Sequence, residues 1–246
     1  MNTRTRPWIL TACAAAGLVS TACGQNLVVN GNFESGNTGF VSDYSFTAGG
    51  NCCEGQYTVR QLPNTFNGAF VNPPPASPGS VRMMIVNGAL TPNLRVWSQT
   101  VPVIPGRTYR IGLSACTAVV GGPAILAFRV NSQPVGAPLT LEDRTGIWTQ
   151  LESTWTADAA AATLVIADLN TSRFPNDFYI DDISMEEVIN PCAADFNQDG
   201  GVDGADVGAF FAAWEQGDAV ADVNSDGGVD GSDVEAFFAQ WEAGGC

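Results

Sequence analysis

The chain has 246 residues, with 25 acidic side chains against 10 basic ones, every base an arginine, and it has no histidine. A net charge of −15 repels nucleic acid and anionic lipid, because phosphate binding needs clustered Lys or Arg. The missing imidazole excludes Ser-His-Asp triads, Cys-His pairs and His-bearing zinc sites, and leaves carboxylate-pair hydrolysis as the catalytic chemistry still open.

At the N-terminus, Arg4 and Arg6 precede an apolar run over 8–19, with the small residues Ala22 and Gly24 behind it. That is the layout of a secretory signal peptide over 1–24, cleaved before Gln25. A lipidated Cys23 is the alternative, disfavoured by Ser20 standing where such signals carry Leu. Without residues 1–24 the balance is 8 basic against 25 acidic, or −17. No later stretch approaches the roughly 18 apolar residues of a membrane span, so a secreted or surface-attached chain is expected, with no transmembrane segment. Five cysteines remain: Cys52, Cys53, Cys116, Cys192 and Cys246. Export permits disulfides, and an odd count leaves one over. Cys192 and Cys246 bracket the C-terminal segment and are expected to pair; Cys116 is expected to join Cys52 or Cys53.

Residues 25–189 carry the signals of an all-β domain, short runs rich in Val, Ile, Thr, Tyr and Trp between Gly, Pro and Asn turns. Strands are expected over 26–33, 81–87, 95–103, 109–115, 125–131, 148–156, 163–168 and 178–185. Eight strands without an amphipathic helix predict a two-sheet sandwich of jelly-roll type. Residues 36–80 read as a long loop whose Tyr57, Arg60 and Phe66 suit sugar hydroxyls and rings. Period-two alternation puts Trp97 on the face of Gln99, Val101 and Val103, so it reads as core, while Trp148 and Trp155, seven apart, point to opposite faces.

The stretches NLVVNGNFE (26–34), GQYTV (55–59), MMIVNG (83–88), VWSQTVPVIPGRTY (96–109) and NDFYIDDISM (176–185) resemble secreted bacterial galactose-binding-like domains. That group includes many carbohydrate-binding modules. The resemblance implies a fold more than a ligand. It also implies a structural calcium held by Glu34 and by Asp181 or Asp182, the alternative being ordinary solvent-facing acids.

Residues 195–216 and 222–243 form a repeat with an offset of 27 and 16 identities in 22 positions. Each copy opens with a twelve-residue loop of EF-hand spacing. Side-chain oxygens fall at positions 1, 3, 5, 9 and 12: Asp195, Asn197, Asp199, Asp203 and Asp206, then Asp222, Asn224, Asp226, Asp230 and Asp233. Position seven, Gly201 and Gly228, offers a backbone carbonyl, and Gly200 and Gly227 allow the sharp turn at position six. Four aspartates in one loop repel one another without a hard divalent cation, so calcium is the expected cofactor. Behind each loop, Val207, Phe210, Phe211 and Trp214, and likewise Val234, Phe237, Phe238 and Trp241, recur at i, i+3, i+4, i+7 and predict one amphipathic helix per copy.

Loop then helix, duplicated, with Asp at position twelve, resembles a type I dockerin. The flanks NPCAAD (190–195) and the final GGC resemble the GC-type dockerin domains of secreted bacterial proteins. The resemblance implies a small α-helical, calcium-dependent module over 190–246 that engages a cohesin-like or cell-envelope anchoring partner. Its recognition positions ten and eleven are Gly204-Ala205 and Gly231-Ser232, without the hydroxyl pairs of many cohesin binders. Together these readings give a mainly β, non-catalytic surface protein that binds a neutral polysaccharide and is anchored through its C-terminal module. The alternatives are a component of a polysaccharide-degrading assembly, as binding subunit or glycoside hydrolase, and a purely structural surface protein.

Overall fold

The computed structural model describes residues 22–51, 53–170, 176–189, 192–197, 199, 201–224 and 226–242. Its strands are β1 (Ala22–Cys23), β2 (Ser45–Phe46), β3 (Gln56–Arg60), β4 (Met83–Asn87), β5 (Arg95–Pro102), β6 (Thr108–Thr117), β7 (Ile125–Val130), β8 (Gln133–Thr140), β9 (Trp148–Thr156), β10 (Ala161–Asp168) and β11 (Phe178–Ile189). Two helices follow, α1 (Gly204–Glu215) and α2 (Gly231–Glu242). The larger sheet runs β2-β3-β4-β11-β6-β9 with β1 also on β11, and the smaller runs β5-β10-β7-β8. Every pairing is antiparallel except β2 with β3. Trp97, Leu164 and Phe128 of the smaller sheet meet Ile111, Leu113, Phe178 and Ile180 of the larger one in a single core, so the chain is a β-sandwich.

Alternation explains what each face does. Trp97 is fully buried in that core, as its parity requires. Trp155 packs on the same core, whereas Trp148 joins a second apolar cluster with Phe66, Phe70, Met83, Ile85, Cys116 and Tyr179, so the two do take opposite faces. Residues 61–80 lie over that second cluster, tied down where Trp148 Nε1 donates to the Pro74 carbonyl and the Tyr179 hydroxyl to that of Val71.

Three sequence expectations need correction. Residues 26–33 form no strand: Asn30 and Phe33 adopt positive φ, and a side chain at Gly31 would collide with the Ile183 carbonyl. The segment instead follows β11 irregularly, with Asn26 Nδ2 donating to Ile183 O and its Oδ1 accepting from Met185 N. Residues 36–80 contain β3, whose ladder with β4 runs from Gln56 to Arg60. And the expected strands omit β8, which carries Pro134, Gly136 and Pro138; it is an edge strand paired with β7, where a missing N–H is tolerated.

The expected Cys116 disulfide is also overturned. Cys116 is a free thiol, fully buried in the second cluster, while Cys53 is exposed in the approach to β3; Cys52 lies outside the described residues. Burial pushes the Cys116 thiol up to about 11. Cys192 is buried, and Cys246 lies outside the described residues, as do Gly200 and residues 1–21 of the signal peptide expected over 1–24.

Candidate functional sites

The two C-terminal loops repeat one hydrogen-bond web at the offset of 27. Asn197 and Asn224 accept from the N–H groups of Asp199 and Asp226; Asp199 and Asp226 accept from Gly201 and Gly228; Asp203 and Asp230 accept from Ala205 and Ser232. Position twelve closes each loop. Asp206 accepts from Asn197 N at 3.0 Å and Asp203 N at 2.8 Å, and Asp233 from Asn224 N at 3.2 Å and Asp230 N at 2.9 Å. Neither carboxylate is exposed to solvent. The N–H groups of Asn197 and Asp203 hold Asp206 below the ordinary carboxylate value. The same contacts make a capping box for α1, in which Asp203 caps the helix and Asp206 reaches back.

Both helices therefore start where the loops end, and their apolar stripes face one another. Phe210 and Phe237 are fully buried and stack with centroids 4.4 Å apart, and Trp214 Nε1 donates to the Asp230 carbonyl at 2.8 Å. Among the described residues, no three His, Cys, Asp or Glu side chains converge as a ready metal cluster. In this structure Asn197, Asp199, Asp203 and Asp206 of the first loop, and all five side-chain ligand positions in the second, accept from backbone N–H groups. The donor set still fits calcium chemically: it is all oxygen, and in the second loop Asp222 already gathers the N–H groups of Asp226 and Gly227, drawing the chain around one point.

In the sandwich, Glu34, Asp181 and Asp182 share one corner. Glu34 accepts from the N–H groups of Val81 and Arg82, Asp181 from Ser80 Oγ at 2.6 Å, and Asp182 from Ser77 Oγ at 3.0 Å. Burial, with the charges of Asp182 and Glu34 added, lifts Asp181 to about 7. Burial and the Glu34 charge raise Asp182 as well. These acids pin residues 77–82 onto the bulge of β11, and the wholly buried Asp181 is not presented to a substrate.

The residues expected to meet a sugar from 36–80 are used internally. Phe66 is buried, Tyr57 is buried with its hydroxyl on Asn37, and Arg60 donates to Ala48 O, Gly49 O, Thr58 Oγ1 and Thr65. The outer face of the larger sheet offers a different surface. Register places Glu186, Arg110 and Thr154 in one row, Ser184, Gly112 and Glu152 in the next, and Asp181, Ser114 and Gln150 in the third. The fourth row, Tyr179, Cys116 and Trp148, is apolar and lies under residues 61–80. Gly112 makes room for Ser184, whose Oγ would lie 3.0 Å from a Cβ there. Beside it Arg110, Glu152, Ser153 and Thr154 line a shallow polar cleft of about 330 Å³. The alternation of Trp148, Gln150, Glu152 and Thr154 was readable in the sequence; which neighbours share their face was not.

No protein-family model matches the chain, and no curated protein does. Solved structures similar to it include the C-terminal domain of EclA, a sugar-binding protein, at 18% identity and a TM-score of 0.39 over 46% of this chain and 90% of that one. The CBM22-1 xylan-binding domain of Paenibacillus barcinonensis Xyn10C matches at 16% identity and 0.37, over 61% and 92%. The arabinose-bound MgGH51 α-L-arabinofuranosidase matches at 14% and 0.47, over 80% of this chain but 31% of that one. At these identities and scores the likeness carries no argument about a ligand.

Proposed function

We propose that the chain is a secreted, non-catalytic polysaccharide-binding protein of jelly-roll topology, anchored to the cell envelope or to an assembly partner by a calcium-dependent C-terminal module. The observation that carries the binding half is the graded outer face of the larger sheet. Gln150, Glu152, Arg110 and Thr154 form a track at one end of which Trp148 stands half-buried, its indole shared with the cluster under residues 61–80, and the fully buried Ser114 lies beneath the track. Aromatic surface beside hydroxyl, amide and charged groups supplies stacking and hydrogen bonds for a sugar chain. Gln150 Nε2 donates to Ser114 Oγ at 2.8 Å, so the track is ordered before any ligand arrives.

The anchoring half rests on the duplicated loops. When bound, calcium neutralises the clustered aspartates of each loop. Asp195, Asn197, Asp199, Asp203 and Asp206, with the Gly201 carbonyl, would hold one ion, and Asp222, Asn224, Asp226, Asp230 and Asp233, with the Gly228 carbonyl, the other. A Cys192–Cys246 bridge would close the module around its helices.

Sugar binding is tested by depletion assays of the full chain on a panel of neutral polysaccharides. The wild type should bind at least one, and Trp148→Ala or Gln150→Ala should weaken that affinity about tenfold with an unchanged far-UV spectrum. If the wild type binds none, carbohydrate recognition is abandoned and a structural surface protein remains.

A further inference from the structure

Among the described residues, Arg107 carries the ion pair that joins the sandwich to the C-terminal module. Arg107 sits in the β5–β6 turn, which is pinned by Gly106 N on Ala157 O and Ala157 N on Arg107 O. Its guanidinium is mostly buried and bridges two acids: Nη1 is 2.6 Å from Glu187 Oε1, and Nη2 is 3.4 Å from Asp222 Oδ2. Nη2 also donates to the backbone carbonyls of Ala219 at 3.2 Å and Asp222 at 3.0 Å. The Nε atom is buried without a hydrogen-bond partner. The turn itself lies against the module, since a Cβ on Gly106 would be 3.4 Å from Asp218 Oδ1 and 3.6 Å from Val220.

Asp222 is position one of the second loop, and its oxygens already take the N–H groups of Asp226 and Gly227. The sandwich thus places the positive charge of a guanidinium on the first ligand of one loop. We propose that Arg107 sets the cation affinity of the second loop, opposing a divalent ion at Asp222, and that loading this loop in turn loosens the module's seat on the sandwich. The inference rests on the calcium reading of the loops. Like charges sharing one carboxylate repel, and linkage makes the effect reciprocal between docking and binding. Glu187 moderates it by neutralising part of the guanidinium charge.

The test is a calcium titration of the full chain by calorimetry, comparing wild type, Arg107→Met and Glu187→Gln. Arg107→Met should tighten one of two sites about tenfold and leave the other unmoved, and Glu187→Gln should weaken the same site by a smaller factor. Should Arg107→Met fail to fold, Glu187→Gln alone decides: a weakened site supports the proposal, and an unchanged or tightened one overturns it. Two intact sites unmoved in Arg107→Met overturn this inference and leave the calcium reading standing. A wild type that takes up no calcium removes both.

Discussion

In the sandwich, Trp97, Tyr109, Phe33, Phe128, Phe178 and many smaller side chains are fully buried between two sheets. In the C-terminal module the fully buried apolar core among the described residues is Phe210, Ala221 and Phe237, with half-buried neighbours around it. The first region has enough apolar burial to fold alone. The second has a few tens of residues, two short helices and two loops whose acids repel, so it needs a staple. With calcium bound as proposed, the contrast is between a fold held by burial and one held by charge neutralisation, with different levers on each.

The widest gap between them should come from deleting one aromatic side chain in each. Phe210→Ala and Trp97→Ala each cost about 3–5 kcal/mol. In the module that removes one of two stacked rings, and the helical far-UV signal should be lost at room temperature even in excess calcium. The Trp97 variant should keep its β signal and melt at a lower temperature. If the Phe210 variant retains a cooperative helical transition, the module's core is larger than the one described.

Much of this contrast was legible in the sequence. The 27-residue repeat, the Asp at position twelve and the helical stripes needed only local spacing, and the helices start where that spacing puts them. Trp97 followed from period two. What failed depended on neighbours far along the chain. Positive φ at Asn30 and Phe33 and the close approach of Gly31 to Ile183 break an apolar run that otherwise suits a strand. An edge position rescues β8 despite its prolines. Counting cysteines could not reveal that Cys116 faces Phe70 and Tyr179 under a loop. The partners of Arg107 and the cross-strand neighbours of the polar track have no local signal, since the first are brought together by the meeting of two regions and the second by register.

A smaller effect sharpens the same comparison through pH. Burial lifts Asp168 to about 7 and Asp177 to about 6, both in the sandwich. Each binds its proton more tightly folded than unfolded, so the stability they contribute is fully present below the ordinary carboxylate range and is lost as pH rises through about 6 to 7. In chelator, the sandwich transition should fall by a few degrees between about pH 5 and pH 8. Asp168→Asn, which cannot titrate, should flatten much of that slope. A wild-type transition that stays level or rises over this range would contradict the assignment.

The central claim, that one region folds on burial and the other on calcium, is tested most directly by titrating calcium into the full chain while recording far-UV circular dichroism. Uptake near two ions per chain, with helical signal appearing in step and vanishing in chelator while the β signal persists, is the result expected. No uptake, or a helical signal indifferent to chelator, would show that the loops are closed by their own hydrogen bonds alone and that the module needs no ion.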